Sequence, residues 1–351
     1  MVIKMILNKV TYDSAKNSHL FVDVRSPSEY EEDSIPNSVN IPLMNDEERK
    51  AVGTTYKQIG KNEARRLGVE IISPKMPGLF EQILELKNKN LQIVAFCARG
   101  GYRSTFFASV FSSIGIPIAQ LEDGYKGYRK EVITTIPVLN ENITYIVLHG
   151  NTGVGKTDIL HTLKNIGYSI LDLEGAANHR GSLLGSIGIG GCNSQKKFET
   201  KIYEQLISNN SQYVFVEAES RKIGKVVIPD YISEKMSEGI HIFIDADLDY
   251  RVNSLKKDYV QNDNWKDESI GAIERLNKYI SKENIDSMKN EIVLGNFDFV
   301  AKELMQKYYD PMYSFKSDTL EYNAKFKAST NCDDIAQEIA KWLESCILNK
   351  E

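Results

Sequence analysis

The 351-residue sequence predicts an α/β protein of two domains with a helical C-terminal extension. Three observations predict it. The chain exceeds the usual single-domain size of about 100–200 residues. Short apolar runs of strand length alternate with amphipathic stretches of helical spacing, the pattern of layered α/β structure. Two glycine-bearing loops, at residues 97–104 and 150–157, each follow an apolar run and precede a helical stretch.

In the first part, strands are expected at 20–24 and 91–96, helices at 80–86 and 105–111, and a turn at 122–128. Residues 131–144 contain Pro137, Asn140, Glu141 and Asn142 and read as the link between domains. In the second part, strands are expected at 143–148, 168–173, 213–217 and 240–244, with helices at 156–165 and 198–208 between them. After Asp247 the chain becomes polar and rich in Lys and Glu at helical spacing, through 335–348. The expected domains are 1–135, 136–250 and, as a helical extension of the second, 251–351.

Composition narrows the class. Hydrophobic residues make up 42% and charged residues 26%, which excludes collagen-like, low-complexity and wholly disordered chains. No apolar run is long enough to cross a bilayer, and Lys4, Lys9 and Asp13 come too early for a secretory signal, so no membrane partner is expected. Cys97, Cys192, Cys332 and Cys346 are too scattered for a disulfide framework and form no CxxC pair for zinc, which fits a cytoplasmic protein. The net charge is -5; residues 1–135 hold 18 basic and 16 acidic side chains, the remainder 25 and 32. Charge alone therefore does not announce a nucleic-acid binder, although a local basic groove on an acidic protein is compatible with it.

The first chemical signal is Phe96-Cys97-Ala98-Arg99-Gly100-Gly101-Tyr102-Arg103-Ser104, at the end of a β-run. Gly100 and Gly101 let the loop curl with its N–H groups inward. Those amides, the helix start near Ser104, and Arg99 and Arg103 all favour negative charge at Cys97. Such a site suits a thiolate, a persulfide, a selenium adduct or a phosphate-like oxyanion. The competing reading is a buried structural cysteine at a strand end; two glycines and two arginines in one loop weigh against it.

This segment resembles the rhodanese family. Phe21-Val22-Asp23-Val24-Arg25-Ser26-Pro27-Ser28-Glu29-Tyr30 is similar to that family's DVR-x-P-x-E-Y signature, and Asn37-Ser38-Val39-Asn40-Ile41-Pro42 to its A-x-N-I-P segment. Members commonly carry His and Gly at the intervening turn, where Asp33-Ser34-Ile35 stands here. The resemblance implies a small α/β domain whose loop cysteine carries sulfur or selenium, with Asp23 and Arg25 as scaffold.

The second signal is Gly150-Asn151-Thr152-Gly153-Val154-Gly155-Lys156-Thr157, a G-x-x-x-x-G-K-[ST] match between an apolar run and a helical stretch. Backbone amides of such a loop wrap linked phosphates, Lys156 supplies a cation, and the Thr157 hydroxyl can reach Mg²⁺. The motif does not specify adenine, and a prenyl diphosphate fits the same cradle if an apolar cleft lies beside it. Glu217 and Asp245, each ending an apolar run, both qualify as the acidic partner. A third constellation, Asp172, Glu174, His179, Arg180 and Ser182, reads as loop capping by itself, and as a site when set at the carboxyl edge of a phosphate-loop sheet.

Both signals in order, joined by Val52-Gly53-Thr54-Thr55-Tyr56-Lys57-Gln58, the 171–182 run and Val216–Gly224 with Glu217 and Arg221, resemble the tRNA 2-selenouridine synthase family over roughly residues 10–230. The resemblance implies two reactions on a wobble 2-thiouridine of tRNA: alkylation of sulfur by geranyl diphosphate, then replacement by selenium from selenophosphate. It implies Cys97, Arg99 and Arg103 as chemical residues, with Gly100, Gly101 and Ser104 shaping the oxyanion loop. Gly150, Gly153, Gly155, Lys156 and Thr157 are implied for the diphosphate. No tightly bound cofactor is expected; tRNA and a selenophosphate-supplying enzyme are the expected partners. The basic cluster Arg221, Lys222 and Lys225 reads either as a tRNA contact or as a solvated face. The alternative enzyme is a rhodanese-type sulfurtransferase fused to an ATPase or kinase.

Overall fold

The computed structural model describes residues 7–87, 91–181, 190–260, 264–311, 320–328 and 331–346. It divides into two compact units, Met1–Thr134 and Thr135–Glu351.

The first unit holds five parallel strands, Lys9–Val10 (β1), His19–Asp23 (β2), Val39–Asn40 (β3), Gln92–Phe96 (β4) and Ile118–Leu121 (β5), ordered β1-β5-β4-β2-β3. Parallel neighbours require crossovers, and helices supply them. Ile93, Val94, Ala95 and Phe96 are all buried, as expected of a central strand covered on both faces. The expected helices at 80–86 and 105–111 lie inside Met76–Lys87 and Tyr102–Ser113. β1, β3, β5 and the helices Asp46–Gln58 and Lys61–Ile72 were not anticipated.

The expected turn at 122–128 is corrected. Only its start turns, through Asp123 (φ 54°) and Gly124 (φ 55°); a helix then runs Gly124–Glu141. Tyr125, Tyr128, Val132 and Ile136 are buried along it at helical spacing, and that burial overrides the breaker-rich composition. The link is helical for the same reason. Asn140, a residue that reads as loop, is buried: its Oδ1 accepts from the Tyr145 hydroxyl at 2.8 Å and its Nδ2 donates to the Tyr231 carbonyl at 3.0 Å.

The second unit is built on Thr144–His149 (β6), Ile170–Leu171 (β7), Tyr213–Glu217 (β8), Ile240–Ala246 (β11) and Ala324–Ala328 (β12). Its parallel order is β12-β11-β6-β8-β7. Lys222–Ile223 (β9) and Val226–Val227 (β10) form a separate antiparallel ribbon. The strand expected at 168–173 shortens to β7, because the helix Leu173–Ala177 begins at once.

The C-terminal part is not wholly helical. β12 adds an edge strand beside β11, and Cys332–Cys346 is helical, with Ile335, Ile339 and Leu343 buried in one cluster with Ile159, Leu160 and Leu163 of the helix Lys156–Asn165. That part therefore completes the sheet domain, while residues 252–309 hold their own apolar core. Residues 347–348 of the expected last helix lie outside the described residues, as does Ser182.

Candidate active sites

Cys97 follows β4 directly, and Gly101 caps the helix Tyr102–Ser113. The Cys97 Sγ lies 3.2 Å from the Ser104 hydroxyl and 3.8 Å from the Gly101 carbonyl oxygen, and the residue is buried. Gln120, inside the sheet, supports the loop from below: its Nε2 donates to the Gly100 carbonyl (2.8 Å), Ser104 Oγ (3.0 Å) and Thr105 Oγ1 (3.0 Å). Tyr125 N–H donates to the Cys97 carbonyl at 2.9 Å and Lys126 N–H to that of Ala98 at 3.0 Å. Gly100 takes φ +60°, and a Cβ on Gly124 would fall 2.1 Å from the Cys97 carbonyl oxygen. The loop is thus clasped to the turn after β5, and glycine is required on both sides.

The two arginines separate. Arg103 forms a two-pronged pair with Glu29 (2.6 and 3.1 Å). Burial pushes Glu29 up, but Arg103, the Ser26 backbone and Arg49 outweigh it and hold its carboxyl down at about 2. The same pairing, against the effect of burial, raises Arg103 above the ordinary arginine value. Arg103 therefore ties its helix to Pro27–Glu32 and also lies within electrostatic reach of Cys97, whose charge helps to raise it. Arg99 is exposed and has no side-chain partner among the described residues, which leaves it available to an incoming oxyanion.

Asp23 and Arg25 are scaffold. They form a buried pair at 2.6 Å; Arg25 also donates to the Asp33 carbonyl at 2.7 Å and lies 4.0 Å over the Tyr125 ring. Asp33 accepts from the Tyr125 hydroxyl at 2.8 Å. The departure at 33–35 from the rhodanese pattern thus supplies acceptors for Arg25 and Tyr125.

In the second unit β6 leads into the phosphate loop, whose glycines take φ +148° (Gly150), +85° (Gly153) and +84° (Gly155). A Cβ would meet the Ile244 carbonyl oxygen at 2.5 Å from Gly150, and that of Arg251 at 2.7 Å from Gly153. Lys156 Nζ donates to the Gly150 carbonyl at 2.9 Å, folding the cation over the loop. The Thr157 hydroxyl donates to Glu217 Oε1 at 2.7 Å and lies 3.4 Å from Glu174 Oε2.

This decides the acidic partner. Glu217 ends β8 beside β6, paired in register with Leu148, whereas Asp245 is exposed on β11. Glu217 is buried, and its Oε2 has no hydrogen-bond partner among the described residues. Burial and the neighbouring Glu174 and Glu219 push its pKa well above the ordinary carboxylate value. Burial and Glu174 likewise push Glu219 up to about 8, and burial raises Glu174. Glu174 and Glu219 are hydrogen-bonded to each other, so a proton shared between them relieves the repulsion.

The third constellation divides. Glu174 joins the Thr157 cluster. Asp172 caps the helix Leu173–Ala177, accepting from Gly175 N–H at 2.7 Å, and pairs with His161 at 3.0 Å. His179 is packed against Gly224, and burial lowers its pKa. Arg180 donates to the Asp258 carbonyl at 3.2 Å and lies 5.0 Å over the Tyr259 ring. Arg221 forms an exposed pair with Asp230 at 2.6 Å, remote in role from the Thr157 cluster, and Lys222 and Lys225 are exposed.

Sequence reasoning missed Arg251 and Asp310, and noted Glu219 after Glu217 without giving it a role. Arg251 is buried; it donates to the Thr152 carbonyl at 2.8 Å and grips Asp310 with two bonds of 2.9 and 2.6 Å. No local motif announces a contact spanning 99 residues of sequence.

Comparison with known proteins now places the chain. The family model described as the tRNA 2-selenouridine synthase AAA domain matches residues 143–347, and that of the rhodanese-like domain matches residues 9–131. The chain belongs to the tRNA 2-selenouridine synthase family. Its relative of that name from Nitrosomonas europaea is 30% identical over 354 residues, 88% of this chain and 91% of the relative. The Nitrosomonas eutropha protein is 36% identical over 265 residues (72% and 68%). The Shewanella pealeana protein is 29% identical over 381 residues (97% and 100%). Membership gives the two-loop arrangement its context: the Cys97 loop lies in the rhodanese-like match, and the phosphate loop and its three glutamates lie in the AAA match.

Proposed function

We propose that this family member converts wobble 2-thiouridine in tRNA to 2-selenouridine through an S-geranyl intermediate, using geranyl diphosphate and selenophosphate. The observation that carries the reading is the coexistence of a cysteine loop with an arginine, Arg99, that has no side-chain partner among the described residues, and a phosphate loop whose Lys156 donates to the Gly150 carbonyl. In the first step the base sulfur attacks C1 of geranyl diphosphate, the C–O bond breaks, and diphosphate leaves with the electron pair. Lys156 and the amides of Gly150–Thr157 offset the charge that builds on it. Alkylation makes the sulfur a better leaving group. In the second step selenophosphate, its oxygens bound by Arg99 and the Gly100–Gly101 amides beside Cys97, attacks C2 through selenium, and geranylthiolate departs with the C2–S electron pair; the Cys97 thiolate then takes the phosphoryl group, the P–Se electron pair stays on selenium, and water releases phosphate from the cysteine.

A Mg²⁺ accompanying the diphosphate would be held by the Thr157 hydroxyl and Glu217 Oε2, the buried oxygen without a partner. Mg²⁺ takes few protein ligands when phosphate oxygens and waters supply the rest. Accordingly, no group of three or more His, Cys, Asp or Glu side chains among the described residues is arranged to hold a metal by itself. Such an ion would screen charge on the leaving diphosphate.

Incubation with 2-thiouridine tRNA and geranyl diphosphate, followed by selenophosphate, with nucleosides read by mass spectrometry, tests the reading. Both mass shifts are expected. Cys97→Ala should stop selenium incorporation and spare geranylation; Lys156→Ala should impair geranylation. No shift in either step removes the proposal. Nucleotide hydrolysis that depends on Lys156 and ignores geranyl diphosphate would favour a sulfurtransferase fused to an ATPase or kinase.

A further inference from the structure

Tyr102 opens the helix that follows the Cys97 loop, immediately after Gly101, and is 65% exposed. Its ring is not loose. The Arg65 guanidinium, from the helix Lys61–Ile72, sits 4.7 Å from the ring centroid and donates to the Tyr102 hydroxyl. Arg65 is further steadied by Asn62 Oδ1 at 3.4 Å. A large aromatic at a loop edge, fixed at its hydroxyl and by a cation while most of its surface meets solvent, is a poor packing element and a good stacking surface. Two further cations stand close to it along the chain and the neighbouring helix. Arg99 lies three residues earlier in the loop, and Lys61 sits one turn before Arg65 on the same helix face, exposed and without an ion pair among the described residues. Aromatic surface interleaved with unpaired cations is the chemistry that holds single-stranded nucleic acid, bases on rings and phosphates on Lys and Arg.

We propose that Tyr102, braced by Arg65, is the platform on which the target pyrimidine of the anticodon loop stacks during selenium transfer, with Lys61 and Arg99 taking the flanking phosphates. The inference rests on the proposed reaction and extends it, since it assigns the RNA-binding residues beside Cys97. Only four residues lie between Cys97 and Tyr102, so a base splayed onto this ring is presented at the loop that holds selenophosphate.

The test uses the full chain and an anticodon stem–loop RNA bearing S-geranyl-2-thiouridine at the wobble position. Tyr102→Ala should raise KM for the RNA about fivefold, the low end of the loss found when a stacking aromatic is truncated. Tyr102→Phe, which keeps the ring, should restore most of it, and Arg65→Ala should give an intermediate rise. Selenophosphate binding at the Cys97 loop, read by calorimetry, reports on the loop without RNA. A KM unchanged in Tyr102→Ala, or a defect confined to selenophosphate binding, overturns the platform. A stem–loop with 2-aminopurine at the wobble position separates the two ideas. If the wild-type protein makes no selenated nucleoside yet changes 2-aminopurine fluorescence in a Tyr102-dependent way, the proposed reaction fails and the platform stands.

Discussion

At the residue scale, the Glu174–Glu217–Glu219 cluster is held together by protons. Glu219, pushed up to about 8 by burial and by Glu174, binds its proton more tightly in the folded protein than in the unfolded chain, where its ordinary value is 4.5. A carboxyl shifted in that direction makes folding less favourable as pH rises from about 4.5 through 8, because the native state must either keep a proton the solution no longer supplies or bury a charge. Glu219→Gln keeps the shape and cannot ionise. The ligand-free wild-type protein should therefore lose thermal stability between pH 5 and pH 8 more steeply than Glu219→Gln, with the two similar at pH 4.5. Parallel Tm profiles by scanning calorimetry would contradict this.

The same residues show how far the sequence could be read. Lys156 and Thr157 were legible because a phosphate loop needs those side chains at that spacing. Cys97 was legible because its loop carries two glycines. Arg103 was legible as a charge near Cys97, but its partner Glu29, 74 residues away, was not, because only folding brings the two together. Asp172 and Glu174, two positions apart, fall to a capping role and a site role because successive positions on the short helix point differently.

At the element scale, the cysteine loop depends on the turn after β5. Gly124 sits at φ +55°, and any Cβ there would strike the Cys97 carbonyl oxygen. Gly124→Ala should push the loop away from Tyr125 N–H, breaking the 2.9 Å bond that fixes Cys97. The expected outcome is at least a tenfold loss of selenophosphate binding at the Cys97 loop with geranylation retained, since the phosphate loop belongs to another unit. A variant that binds selenophosphate normally would show that the turn does not hold the loop.

A second element-level dependence lies at Thr152. Arg251 ties the phosphate loop to Asp310, and Asp310→Ala would leave a buried guanidinium with only the Thr152 carbonyl. Removing a hydrogen-bonded charge partner costs about 1.5–3 kcal/mol. The variant should show that loss in urea unfolding, along with weaker binding of geranyl diphosphate by calorimetry. β12 and the buried face of Cys332–Cys346 escaped sequence reading for a related reason. A five-residue Ala-Lys-Phe-Lys-Ala strand has a weak apolar signal, and becomes a strand because β11 offers it an edge.

At the scale of the whole molecule, the helix Gly124–Glu141 carries the chain from one unit into the next, and each end of it serves its own unit. Tyr125 meets Asp33 and Arg25, and Tyr128 packs edge-on to Tyr12 with ring centroids 4.8 Å apart, all within residues 1–134. Asn140 meets Tyr145 and Tyr231 within the second unit. A break at 134 would cut a helix in mid-course and leave four carbonyls unpaired, whereas a fragment ending at 141 keeps it whole. A fragment of residues 1–141 should therefore unfold cooperatively and bind selenophosphate at the Cys97 loop. One ending at 123 should do neither, because it loses Tyr125, Tyr128 and the amide that holds Cys97. A fragment of residues 124–351 should bind geranyl diphosphate with near wild-type affinity. Neither fragment alone should carry 2-thiouridine tRNA through to 2-selenouridine, since each lacks one of the two loops. Complete conversion by the 1–141 fragment would show that the phosphate loop takes no part. Failure of that fragment to fold would show that the rhodanese-like unit depends on contacts from the rest of the chain.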